Sequence, residues 1–295
     1  MINFRYHLVS VAAIFIALAA GIALGSGPLD DASARLRGDA ANAQSTDPAL
    51  SSFESAYAGR TSGGLLNEAL KGQSVVVLTV PGTSDAEVKG ITADLQAAGA
   101  EVTGEVGLTA KLLDSSGRQF AEGVAQQAAS DVPGVGAGGE GYGRVGAALG
   151  RALLADTTTP VDPTSTTIRS AFSEGNLLTL GAAPKKLATL AVLVAGPQRP
   201  DGSGQSDVIS ALAGALNRAG KGLVVAGPSS SGTDGGAVKA VRDGDSASEV
   251  STVDVTNSAA GRVLTALATA RQAGGQPGAW GTSRSADGAL PAPPG

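Results

Sequence analysis

The chain has no cysteine, one histidine and one methionine in 295 residues. The first absence removes disulfide frameworks, thiol nucleophiles and Cys-x-x-Cys metal knuckles. The second leaves His7 as the only imidazole, which excludes a Ser-His-Asp triad from everything beyond the N-terminus. Basic charge is also scarce. Lys and Arg number 21 against 26 Asp and Glu, a net charge of −5, so the chain lacks the basic footprint that a nucleic-acid partner needs. Aromatic residues are 3% and charged residues 16%, yet 42% of the chain is hydrophobic, with 43 Gly and 14 Pro. Such a Gly-padded chain is too apolar for full disorder and long enough to bury a core. It offers no catalytic constellation and no cofactor-binding residue, so the expectation is a protein that is not an enzyme.

What is present begins with a long apolar run. From Leu8 to Leu29 no residue is charged, and Leu8–Leu24 is apolar almost throughout, close to the roughly 20 residues that cross a bilayer as a helix. The rival reading is a cleaved signal peptide, with Ala23-Leu24-Gly25 as a small-x-small site, but secretory apolar regions run only about 7 to 15 residues. Arg5 before the run and Asp30 and Asp31 after it favour a cytoplasmic N-terminus, which places the rest of the chain outside the cytoplasm. Ala13, Ala17, Gly21 and Gly25 recur every four residues and form a stripe of small side chains. Along it a second copy or a membrane protein partner could approach closely.

Residues 30–71 read as a linker with a helical segment, in which Phe53, Tyr57, Leu65, Leu66 and Leu70 suggest a broken amphipathic helix. The pattern then becomes regular. Gln73–Val80 is a β-branched run ending at Pro81-Gly82, Asp85–Ala98 carries Val88, Ile91 and Leu95 at helical spacing, and Glu101–Leu108 is a second strand. Leu190–Val194 before Gly196-Pro197, a helix through Val208, Ile209, Leu212 and Leu216, and Leu223–Val225 before Gly227-Pro228 repeat that order. Thr252–Val255 adds a strand, Ser258 caps a closing helix through Ala270, and Arg144–Leu154 and Ile168–Leu180 read as helices. Strand, turn and helix in alternation predict an α/β fold over 72–275: a doubly wound, mostly parallel sheet with helices on both faces. It follows a single N-terminal transmembrane helix within 1–29, and a flexible Gly/Ser/Pro-rich tail, 276–295, ends the chain.

Several motifs have weak chemical readings. Gly134–Gly139 and Gly141–Gly146 both satisfy GxGxxG, but a dinucleotide site needs that turn directly after a strand, and Asp131-Val-Pro133 is not one. Gly214–Gly220 followed by Lys221 has five intervening residues where a P-loop has four, and reads as a helix C-terminus. Asp243-Gly-Asp245 is turn chemistry rather than a cation site, and Asp201–Gly204 is a loop. His7 falls at the lipid headgroups rather than on a metal.

The opening Met1–Gly27 resembles the start of the actinobacterial MctB family of copper transporters. The resemblance continues through Gly72–Gly82, Ala97–Gly104, Val192–Pro197, Ser258–Val263 and Trp280-Gly281. It implies a membrane-associated envelope protein in copper efflux and homeostasis, acting as an outer-membrane pore. It also implies an alternative, a non-enzymatic interaction module working in cell division or separation through a membrane partner. Cu(I) prefers thiolate and thioether ligands and Cu(II) imidazole. Met1 and His7 are the only such donors, so no residue of the α/β domain is expected to hold copper.

Overall fold

The computed structural model of the chain describes residues 48–132, 135, 141–199 and 204–291. The proposed anchor and its stripe of Ala13, Ala17, Gly21 and Gly25 lie outside them. Among the described residues no helix is long and apolar enough to cross a membrane. The chain divides into two units, Met1–Ser52 and Phe53–Gly295, and the sheet with the helices that cover it belongs to the second.

The first helix, α1 (Pro48–Leu66), is unbroken, and it is not amphipathic in the expected sense. Ala58, Ser62 and Leu66, spaced four apart, are its buried stripe, while Phe53, Tyr57 and Leu65 are exposed. The aromatic residues therefore do not serve the core.

Next come β1 (Ser74–Thr79), α2 (Asp85–Ala97) and β2 (Glu101–Leu108), at the predicted positions. A short α3 (Ala110–Leu113), α4 (Arg118–Ala128) and α5 (Tyr142–Leu153) lead to α6 (Pro163–Glu174) and β4 (Leu178–Leu180), with β3 (Thr159–Pro160) between α5 and α6. The helix expected over Ile168–Leu180 thus stops early. Gly175 caps it and Asn176 takes a left-handed φ of 54°. The Asn176 amide then donates to Ser173 O and the Leu177 amide to Phe172 O, the paired bonds that close a helix as a Schellman turn. Leu177 and Leu178 go into the core instead, and β4 runs antiparallel to β2.

The second half follows the expected alternation. It contains β5 (Lys186–Leu187), β6 (Leu190–Val194), α7 (Gln205–Arg218), β7 (Gly222–Ala226), α8 (Ala237–Asp243), β8 (Ser251–Val253), α9 (Ala259–Ala273) and β9 (Ala279–Trp280). Ser258 caps α9 as predicted, its hydroxyl accepting from the Gly261 amide at 3.0 Å. β3 and β5 form a separate antiparallel pair.

The main sheet has seven strands in the order β4-β2-β1-β6-β7-β8-β9, all parallel except β4. Its strands are near-continuous apolar runs because both faces are covered. Val76 and Leu78 of β1 point into a core shared with Leu149 of α5, Phe172 of α6, Leu212 of α7 and Val238 of α8. Val75 and Val77 point the other way, against Ile91 and Leu95 of α2 and Leu264 of α9. A mostly parallel sheet with helices on both faces is the predicted architecture.

The chain does not become a flexible tail at residue 276. β9 pairs in parallel with β8 through Thr252↔Ala279 and Val253↔Trp280, and Trp280 is buried. Short β9 and the turns after it were invisible to a reading by apolar periodicity, since only one residue of that segment is a large apolar core member.

Candidate functional site

In an open sheet of this kind, ligands bind beyond the carboxyl ends of the strands where the strand order reverses. Here that point is between β1 and β6, since the chain builds outward from β1 to β2 and returns on the other side at β6. Three adjacent strands end in Pro/Gly turns: Pro81-Gly82 after β1, Gly196-Pro197 after β6 and Gly227-Pro228 after β7. The Thr83 hydroxyl joins the first two, lying 2.8 Å from Val80 O and 2.9 Å from Val194 O as their donor. Gly82 adopts φ +90°, and a Cβ on Gly196 would sit 3.2 Å from the Gly82 carbonyl carbon, so glycine at both positions lets the turns approach.

A cavity of about 260 Å³ opens there, with Val80, Ile209 and Ala237 as its apolar floor and Gln198, Ser206 and Asp207 on its rim. The rim is already cross-tied: the Gln198 amide donates to Ser230 Oγ, and Ser206 Oγ donates to Gly235 O at 2.8 Å. Among the described residues that line it, no acid–base pair of the kind used in hydrolysis meets. Alongside, an open groove of about 780 Å³ lies between α7 and α8. Asp207, Asp234, Asp243, Asp245 and Glu249 line it with Arg218 and Lys239. The Asp243 hydrogen bond holds the Lys239 ammonium above its ordinary pKa.

The sequence motifs resolve into packing. Asp243 of the Asp243-Gly-Asp245 turn pairs with Lys239, and among the described residues no group of three or more His, Cys, Asp or Glu is placed to hold a metal ion. Gly141 is the N-cap of α5, so Gly141–Gly146 opens that helix. Gly146 and Gly150 are where α5 meets α7, because a Cβ on them would lie 2.8 Å from Ala215 Cβ and 2.4 Å from Ala219 Cβ. Gly214 is inside α7 and Gly220 follows its C-cap, as expected of a helix end. Most of Gly134–Gly139, residues 201–203, Met1 and His7 lie outside the described residues.

The most connected polar cluster is one that the sequence reading missed. Asp254, one residue past β8, is fully buried, and Arg242 of α8 is 5% exposed beside it. Arg242 donates to Asp254 Oδ2 at 2.6 Å, Thr252 Oγ1 at 2.8 Å, Ser283 Oγ at 2.7 Å, Ser285 Oγ at 3.1 Å and Trp280 O at 3.0 Å. Asp254 also accepts from the Thr282 amide at 2.6 Å and from Ser283 Oγ at 2.6 Å. Burial pushes the Asp254 carboxyl up. The hydrogen bonds from Ser283, Thr282 and Arg242, with the Arg242 charge, outweigh it and hold the carboxyl below its ordinary pKa. This cluster fastens residues 280–285 beside β8 and against Gly232 in the turn that follows β7. Partners 12 and 41 residues from Arg242 leave no local signature in a sequence.

The family profile described as copper transport outer membrane protein, MctB, matches residues 1–291. A protein named copper transporter MctB from Mycobacterium tuberculosis (strain ATCC 25618 / H37Rv) is 29% identical over 298 residues, covering 91% of this chain and 92% of its own. The protein of the same name from Mycobacterium leprae (strain TN) is 28% identical over 304 residues, covering 90% and 92%.

Proposed function

Because the chain belongs to the MctB family of copper transport proteins, we propose that it acts in copper efflux and homeostasis at the cell envelope. In this reading Leu8–Leu24 anchors it in a membrane and the α/β unit stands outside the cytoplasm. The observation that carries the proposal is the match along almost the whole chain to relatives named copper transporters. The family is described as one of copper transport proteins, not a known enzyme class.

The α/β unit takes part without holding copper tightly. Thiolate and thioether donors suit Cu(I) and imidazole suits Cu(II), and the chain's only such side chains are Met1 and His7. Copper is here a cargo, met by oxygen ligands at most in the folded unit. A deletion strain grown in copper should accumulate cell-associated copper, and the intact gene should reverse it; unchanged copper content would overturn the proposal. Titration of the full chain with copper should show no stoichiometric sub-micromolar site that survives replacement of Met1 and His7.

A second reading, a non-enzymatic module that docks another envelope protein, is favoured by one observation. Phe53 and Tyr57 stack at 6.2 Å on α1 and are 65% and 62% exposed, in a chain with only nine aromatic residues. Pull-down by the intact chain but not by a Phe53→Ser, Tyr57→Ser variant would favour it.

A further inference from the structure

The chain holds four Asp-Gly pairs: Asp201-Gly202, Asp234-Gly235, Asp243-Gly244 and Asp287-Gly288. In such a pair the amide nitrogen of the glycine can attack the preceding carboxyl, because no Cβ crowds the five-membered ring that forms. A folded chain permits this where the carboxyl can turn back and the amide is not held elsewhere. Three of the four pairs are described, and they differ sharply.

At Asp243 both groups are occupied: the carboxylate pairs with Lys239 and the Gly244 amide donates to Val241 O at 3.2 Å. At Asp287 the carboxylate is held, because Oδ2 accepts from the Ala279 amide at 3.0 Å, although among the described residues the Gly288 amide donates to no acceptor. At Asp234 the side chain is fully exposed, and its ionic contact is a distant one, 3.9 Å from Lys239. Among the described residues the Gly235 amide donates to no acceptor. Gly236 follows, and Gly235 adopts φ +79°.

We propose that Asp234 is a backbone modification site, converting to isoaspartate. The Gly235 nitrogen bonds to Asp234 Cγ as a carboxyl C–O bond breaks, and the hydroxyl leaves with the amide proton as one water. The resulting succinimide takes a water back at either carbonyl. Opening at the side-chain carbonyl restores aspartate, whereas opening at the main-chain carbonyl leaves a backbone that runs through Cβ, with the mass unchanged. The step needs no oxidant or reductant.

The position matters because Gly235 lines both the β1/β6 crevice and the α7–α8 groove. Its carbonyl accepts the Ser206 hydroxyl at 2.8 Å, which ties the loop after β7 to the first turn of α7. An added backbone methylene at Asp234 moves that carbonyl, so the modification loosens the rim of the crevice.

The test is to hold the folded full chain at neutral pH for weeks and map its peptides by electron-transfer fragmentation, which distinguishes the two linkages. A sample kept in denaturant and an Asp234→Glu variant, whose ring would be six-membered, run beside it. Conversion at Asp234 is expected to exceed that at Asp243 and Asp287 by at least about fivefold in the folded chain, the factor that one retained hydrogen bond supplies. The difference should vanish in denaturant, and the variant should show no conversion at that position. Equal rates at the three pairs in the folded chain, or none at Asp234 while the denatured chain converts, would overturn the proposal.

Discussion

Replacing Asp254 by alanine would remove the acceptor that holds the C-terminal segment. The carboxylate is fully buried and accepts from Arg242, the Thr282 amide and the Ser283 hydroxyl, each at 2.6 Å. The Arg242 side chain, 5% exposed in the intact cluster, would be left with Thr252, Ser283, Ser285 and Trp280 as neutral partners for an uncompensated charge. Breaking a buried pair from one side costs ~3–5 kcal/mol. Set against a usual total of ~5–15 kcal/mol, that is a large share of the stability of the unit. At about 2–4 °C per kcal/mol for a unit of this size, the melting temperature should fall by roughly 6–20 °C. The assay is built in, because Trp280 is the only tryptophan of the chain, is buried, and lies on the fastened segment with Arg271 5.8 Å from its ring. Its emission should shift to the red in Asp254→Ala under conditions where far-ultraviolet circular dichroism is still native. The double variant Arg242→Met, Asp254→Leu should recover most of the loss, since an apolar pair leaves no stranded charge. A cost under ~1 kcal/mol, typical of an exposed pair, or an unshifted emission, would refute the reasoning.

Acid should act on the same fastening. The folded pKa of Asp254 lies below its unfolded value, so its contribution is complete above the ordinary aspartate range and is lost as pH falls through the folded value. Trp280 emission followed on acidification should move later in the descent than the titration of exposed carboxylates, and the transition should be absent from the Arg242→Met, Asp254→Leu variant. Gly150→Ala would push a methyl against Ala219 and force α5 and α7 apart, for ~1–3 kcal/mol in urea unfolding; a neutral result would mean that the helices do not meet there. Asp162→Ala removes the acceptor of the Ser165 amide at the start of α6 and a partner of Arg151, and should cost ~1 kcal/mol by the same measurement.

Much of the sheet was legible because its strands are unbroken apolar runs closed by Gly/Pro turns, as at Val75–Val80 and Leu190–Val194. Elements with few large apolar residues were not. β9 is two residues long and is fixed by a partner strand and by Arg242, neither of which leaves a local pattern. β4 was absorbed into a predicted helix because Leu177, Leu178 and Leu180 extend the apolar count past the Gly175-Asn176 stop. The Gly141–Gly146 motif was visible but ambiguous: closely spaced glycines mark a close approach, and only the partner helix says whether a phosphate or an alanine comes near. In α1 the signal misled outright, since Phe53 and Tyr57 face away from the buried stripe of Ala58, Ser62 and Leu66.

The seam between β1 and β6 also bears on how the molecule is made. Ser74 and Thr189 exchange hydrogen bonds across it although they stand 115 residues apart. On one side of it β1 and β2 can pair early, and on the other β6, β7, β8 and β9 can be added in the order in which they are synthesised. The inner edge of β1, a run of valines, must wait without a partner until the second half arrives. Closure of so distant a pairing is slow, and an unpaired apolar edge in the meantime invites association with other chains. A chain with this order depends, during its production and any passage across a membrane, on being kept apart from its own copies until β6 has docked.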